Sequence, residues 1–391
     1  MFILLSDWEK EENFMIYLDN AATTQIDPSV RIVMDEINHS FFANPSSIHS
    51  PGQKSKVLIE KSRKTIAQSI MAKPDEIIFT SGGTEANNLA LIGTAMRNKY
   101  KGDHIITSKI EHPSVLETCN HLSQIGFRIS YIDVDSSGSV DLEQIKRLIN
   151  KKTILISIMM VNNETGCILP IKEIGQIIKD YPIIFHSDAI QALDKIEIQT
   201  DEMNCDLLSF SAHKIYGPKG CGVLYIRRGT DIDRILFGGS QEKLKRPGTE
   251  NLAANAGFAE AIRQMQLKES SRKSIQQLGD FFEKEVKKAI PNLEINGENV
   301  SRAPGYSNIY FPFMSGESLL MTLDMNDIAV SMGSACSSGS QKPSHVLQAM
   351  GFDEKRVNNS LRFSLGRYTT KEEIIRTVEV LENVYKNTLM K

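Results

Sequence analysis

The sequence predicts an α/β protein: a large domain on a mainly parallel seven-stranded sheet, followed by a smaller α+β C-terminal domain. Three observations carry this expectation. Between about residues 75 and 230, seven short β-rich runs alternate with helical patterns. These runs are continuously apolar, the mark of parallel strands covered on both faces. From 250 to 290 the pattern turns helical, and shorter strands and helices are mixed after it.

In order, the seven runs are "EIIFT", "DHIITSK", "FRISYIDV", "TILISIMMV", "PIIFHSDA", "DLLSFSA" and "GVLYIRR". The last follows "KGCG" too closely for a crossover helix, so it should lie antiparallel to its neighbour. Two helices, "NLAANAGFAEAIRQMQL" and "SIQQLGDFFEKEVKKAI", end before Pro291 and bridge the domains. The strand "SNIYFPF", the helix "GESLLMTLDMN", a segment around Cys336, the strand "LRFSLG" and a terminal helix over 370–390 follow. The expected division is an N-terminal extension at 1–14, a large ligand-binding domain at 15–260 and a small domain at 261–391. Met15 opens a second plausible start, "MIYLDNAATT". Neither internal repeats nor low-complexity segments occur.

Of the 391 residues, 41% are hydrophobic and 24% charged, with a formal net charge of -3. That charge supplies no basic field for nucleic acid or an anionic membrane. The longest apolar run, "TILISIMMV", is far short of the roughly 20 residues of a membrane-spanning helix. The start "MFILLSDWEKEE" has no secretory signal pattern, so a cytoplasmic protein is expected. Five cysteines, Cys119, Cys167, Cys205, Cys221 and Cys336, show neither a C-x-x-C pair nor a zinc-site spacing. No metal site is expected. Four sit in or beside apolar stretches, as small core residues do, whereas Cys336 lies in "SMGSACSSGSQKPSH", among serines and glycines.

Three stretches carry chemistry. "FTSGGTEANNLALIG" reads as a strand, a Gly-Gly turn and a helix, so Gly83 and Thr84 can cradle an anion at the helix N-terminus. It matches neither the mononucleotide nor the dinucleotide glycine pattern. "HSDAIQA" sets Asp188 at a strand end, where a buried carboxylate needs a cation or donors. "LLSFSAHKIYGPKGCG" ends a strand at Ser211, His213 and Lys214, and a lysine there can be desolvated into an amine nucleophile. Singly, these have ordinary counterparts in an empty turn, a helix cap and a surface lysine. Together they are the three supports of pyridoxal phosphate: phosphate site, pyridinium partner and imine-forming lysine.

The motifs "YLDNAATT", "NPSSIHSPG", "TSGGTEANNLA", "EHPSV", "VNNETG", "HSDAIQ", "SAHKIYGPKGCG", "RPGTEN", "GSACSSGS" and "LRFSLGRYTT" occur in the order found in the cysteine desulfurases. The resemblance is to the NifS/IscS-like branch of the class V aminotransferase-fold enzymes and covers about residues 15–390. It implies a fold type I pyridoxal phosphate transferase. Lys214 would then form the imine and carry the Cα proton, and Asp188 would keep the pyridine nitrogen protonated. Gln191 would donate to the ring oxygen O3′, and His112 would stack on the ring and act as acid/base. Gly83, Thr84, Ser211 and His213 would hold the phosphate, with Thr249 reaching across from a partner subunit, which implies a homodimer. Asn163 and Arg362 match the positions that hold the substrate carboxylate.

The implied reaction takes L-cysteine to L-alanine and leaves a persulfide on Cys336, carried by a mobile loop of the long type. Sulfur would pass to acceptors: an iron–sulfur scaffold, with transient cluster ligation through Cys336, or a tRNA-thiolation carrier. Selenocysteine lyase and cysteine sulfinate desulfinase are rival activities on this scaffold, and a sulfur-relay scaffold without cofactor is the non-enzymatic rival. Two departures bear on the dimer contact. "GGSQEK" has Ser240 and Lys243 where the family commonly has glycine and arginine, and Pro247 replaces a usual alanine.

Overall fold

The computed structural model describes residues 15–268, 270–333 and 343–390. The extension at 1–14 and Cys336 lie outside them. The expected seven strands form one sheet, in the order Ile77–Thr80, Gly222–Ile226, Leu207–Ser211, Ile184–Asp188, Thr153–Ser157, His104–Ser108, Arg128–Ile132. Gly222–Ile226 runs antiparallel to both its neighbours, and the other pairings are parallel.

The sheet is covered on both faces because the strands are apolar at successive positions. Ile77 and Phe79 join one core with Phe185, Phe210 and helices that contribute Ile59, Ile66, Phe258 and Ile262. Ile78, one residue on, joins the opposite core with Leu89, Ala90, Ile105 and Leu207. This is the period-two alternation of a strand buried twice. Each fully buried Ile or Phe contributes roughly 1.5–3 kcal/mol.

A third core surrounds the antiparallel sheet Ser360–Ser364, Tyr306–Tyr310, Glu294–Ile295. Phe282 and Val286 of helix Ser270–Ala289 and Ile374 and Leu381 of helix Lys371–Leu389 pack on it. Ile16–Tyr17 pairs in parallel with Ile328–Ala329, and Ile16 and Leu18 belong to this same core. Residues 16–18 thus pack against the C-terminal sheet. Helix Leu252–Leu267 also runs through residue 260, and Met265 still packs with the large sheet.

Parallel strands bring their C-terminal ends to one edge. Thr80, Ser108, Ser157, Asp188 and Ser211 therefore end together, and Thr80 and Ser211 both pair with Gly222. Such an edge is where open α/β sheets bind ligands.

Candidate active site

At this edge a cavity of about 170 Å³ is lined by Gly83, Thr84, His112, Asn163, Asp188, Gln191, Ser211, His213, Lys214 and Arg362, among others. Ten of the residues predicted from sequence thus meet in one place. Thr249 is exposed and is not among the lining residues. Cys336 lies outside the described residues.

Helix Gly83–Asn98 points its N-terminus at the cavity. A Cβ on Gly83 would come 2.1 Å from Ile190 Cδ1, so only glycine lets the backbone approach so closely. Beside it a second, more open cavity adds Ser81, Gly82, Thr23 and Lys219 to Gly83, Thr84, Ser211 and His213. His213 Nδ1 lies 3.1 Å from Thr23 Oγ1, and burial together with Lys214 and Lys219 lowers its pKa to about 4. It is a neutral donor at physiological pH.

Asp188 is 4% exposed. Its Oδ1 accepts from the N–H of Ile190 at 3.0 Å, and its Oδ2 from Asn87 Nδ2 at 2.7 Å. Asn87 also donates to Ser114 Oγ at 2.8 Å, and that hydroxyl lies 2.8 Å from His112 Nδ1. The N–H of Ser114 donates to the same Nδ1 at 3.1 Å, so the neutral ring carries its proton on Nε2. Burial lowers the His112 pKa from the ordinary value, against the opposing charge of Asp188. Lys214 Nζ donates to the carbonyls of Ala21 and Ala22 at 2.6 and 2.8 Å, which aims the amine along the cavity wall.

Arg362 is 1% exposed. Its Nη2 meets Asp19 Oδ1 at 2.7 Å, its Nη1 donates to the carbonyl of Asn163 at 2.9 Å, and its buried Nε has no partner among the described residues. Ser331 pairs with Arg362 along the backbone, so the chain leading to Gly333 is tied to the strand that carries this guanidinium.

The departures lie in a loop anchored by another pair. Glu242 Oε1 and Oε2 accept from both Arg63 Nη atoms at 2.7 Å, and Oε2 also takes the N–H of Phe79. Glu242, Lys243 and Leu244 all have positive φ, a conformation this buried pair helps to hold. Arg246 of "RPGTEN" donates to Glu85 Oε1 at 2.8 Å and so fixes the loop near the helix N-terminus.

Sequence reasoning missed Asn87, Ser114 and Asp19. Asp19 stood in the quoted motif "YLDNAATT", and Asn87 lies one turn after Gly83, a spacing that puts both on one helix face. The other four cysteines are all buried, and burial raises the thiol pKa of Cys119 and of Cys221 to about 12. Among the described residues, no cluster of His, Cys, Asp and Glu could hold a metal ion, and no helix is long and apolar enough to cross a membrane.

Residues 16–376 match the family model described as aminotransferase class-V. The chain is 48% identical over 370 residues to the cysteine desulfurase IscS of Dictyoglomus turgidum, covering 94% of each chain. It is 44% identical over 375 residues to the cysteine desulfurase IscS of Methanosarcina thermophila, covering 95% of this chain and 92% of that one. Among solved structures, a NifS-like protein superposes with a TM-score of 0.90 at 34% identity, over 95% of this chain and all of that one. SspA in complex with cysteine superposes with a TM-score of 0.81 at 36% identity, over 91% of this chain and all of that one. The motifs, the sheet edge and these likenesses agree: the chain belongs to the aminotransferase class-V family, in its cysteine desulfurase branch.

Proposed function

We propose that this protein uses pyridoxal phosphate to remove sulfur from L-cysteine, giving L-alanine and a persulfide on Cys336. The observation that carries the reading is the convergence of Lys214, Asp188, His112, Gln191 and the Gly83 helix N-terminus on one cavity. The residues present fit the cofactor. A Cβ-free cradle and a 16-residue helix suit a phosphate, and Asp188, held by Asn87, suits a protonated pyridine nitrogen. When bound, the cofactor supplies an electron sink that labilises bonds at the amino acid's Cα and Cβ.

The chain's own residues do the rest. Gly83, Thr84, Ser211 and His213 would bind phosphate, completed by Thr249 of a second copy in a homodimer. Exposed Phe42, Ile48 and Phe237, at 85%, 95% and 79%, are apolar surface of the kind such an interface covers. Arg362 would grip the substrate carboxylate with Asn163 beside it. Asp19 orients the guanidinium, and Nε stands ready as a buried donor. Lys214 would accept and return the Cα proton at Nζ. His112, neutral and bearing its proton on Nε2, can donate that proton to the sulfur and, once Nε2 is bare, receive the thiol proton of Cys336 there.

The Cys336 thiolate would attack the sulfur of bound cysteine. The S–S bond forms, the C–S bond breaks with its electron pair left on carbon, and protonation there yields alanine. Sulfur then passes to acceptor proteins of iron–sulfur assembly or tRNA thiolation in the cytoplasm. Incubating the purified protein with pyridoxal phosphate and L-cysteine tests the reading: equimolar alanine and a 32 Da gain on Cys336, about one sulfur atom by mass, are expected. Absence of a visible band near 400 nm, roughly where lysine-bound pyridoxal absorbs, would refute it at the first step.

A further inference from the structure

Gln191 is 8% exposed on the cavity wall, and its amide is held at both ends. Its Nε2 donates to the carbonyl of Ala21 at 2.9 Å, and its Oε1 accepts from the hydroxyl of Tyr306. Tyr306, 4% exposed, comes from strand Tyr306–Tyr310 of the antiparallel sheet, 115 residues away in sequence. Gly166 of the motif "VNNETG" makes room for it: at φ +76° a Cβ there would come 2.4 Å from Tyr306 Cβ. The reversed amide would set its oxygen against the Ala21 carbonyl, two acceptors with no proton between them. With Oε1 occupied by a hydroxyl donor and one Nε2 hydrogen on Ala21, the second Nε2 hydrogen is left for the cavity.

We infer that Tyr306 is a positioning residue that fixes the polarity of the Gln191 amide, so that an N–H rather than a carbonyl faces the phenolic oxygen of the cofactor. The inference rests on the reading that pyridoxal phosphate occupies this cavity with that oxygen toward Gln191. A donor there draws charge from the oxygen and loosens its hold on the neighbouring imine proton. Removing Tyr306's hydroxyl leaves Oε1 a buried acceptor without a donor, so that of the two contacts holding the amide's orientation only the Ala21 carbonyl remains.

The test is a pH titration of the visible absorbance of the cofactor-loaded dimer. Tyr306→Phe moves the midpoint upward by about 0.4–1 pH unit and weakens pyridoxal phosphate binding to apoprotein about 2- to 10-fold, the equivalent of one neutral hydrogen bond. Tyr306→Met, which also lacks a donor, gives the same shift and serves if the phenylalanine variant does not fold. In a Gln191→Ala background the Tyr306→Phe effect vanishes, because Tyr306 acts through that amide. An unchanged midpoint in both Tyr306 variants, or the same shift with Gln191 absent, overturns the inference alone. No visible band in the unsubstituted protein overturns the cofactor reading and the inference with it.

Discussion

Asn87 Nδ2 lies 2.7 Å from Asp188 Oδ2 and binds helix Gly83–Asn98 to the end of strand Ile184–Asp188. The same amide donates to Ser114, which contacts His112, so Asp188 and His112 share one support. Replacing Asn87 by alanine strips a buried carboxylate of a charge-assisted hydrogen bond. Pyridoxal phosphate affinity is expected to fall about tenfold or more. Equilibrium binding to apoprotein measures it, and an unaltered dissociation constant would show that Asp188 needs no help from Asn87.

Arg362 is fixed by Asp19 and by the carbonyl of Asn163. A lysine cannot reproduce both contacts and a carboxylate grip, because it carries a point charge where arginine carries a fork. Arg362→Lys should raise the KM for cysteine about 10-fold or more with a smaller change in kcat. Steady-state kinetics decides; an effect confined to kcat would place Arg362 elsewhere in the reaction.

Glu111 is fully buried, and burial raises its pKa to about 8. Its Oε1 accepts from Ser108 Oγ and from the N–H of Met159, while Oε2 has no partner among the described residues, as suits the protonated oxygen. The folded-state pKa lies above the ordinary value of 4.5, so the folded protein keeps a proton that the unfolded chain releases. Glu111's contribution to stability is full below that value and is lost as pH rises toward 8. Wild type should therefore lose stability relative to Glu111→Gln across this window, with a slope up to about 1.4 kcal/mol per pH unit. Urea unfolding at several pH values checks it; a flat difference means the carboxyl ionises in the fold.

The Arg63–Glu242 pair, 5% and 7% exposed, holds the loop that precedes Thr249. Glu242→Ala strips the buried Arg63 guanidinium of its two-pronged partner, leaving it Glu60 at 3.2 Å and the Ile77 carbonyl at 2.8 Å, and should cost about 3 kcal/mol. Denaturation in urea measures this. A loss under about 1 kcal/mol, typical of a surface pair, would mean that water reaches Arg63.

Cys336→Ser should keep the cofactor band and bind cysteine, yet form no protein persulfide, because the variant retains the cavity and lacks the thiol. Intact-mass spectrometry after incubation with cysteine reads the outcome directly. Protein-bound sulfane sulfur on the variant would assign the acceptor role to another thiol, although the other four cysteines are buried.

By itself the sequence determined the elements: seven apolar runs, the antiparallel strand after "KGCG", and the glycine turn, strand-end carboxylate and strand-end lysine that announce a cofactor site. These are legible because periodicity, turn residues and strand-end position are local properties of the chain. Tertiary structure alone decided which polar groups meet. Asn87 and Asp188 are 101 residues apart, Gln191 and Tyr306 are 115 apart, and Asp19 and Arg362 are 343 apart. It also decided that the strand Ile16–Tyr17 joins the C-terminal core. An asparagine on a helix or a tyrosine in a strand reads the same whether it faces water or a buried carboxylate or amide. Its role emerges once the parallel strands have brought their ends to one edge and the antiparallel sheet has closed against them.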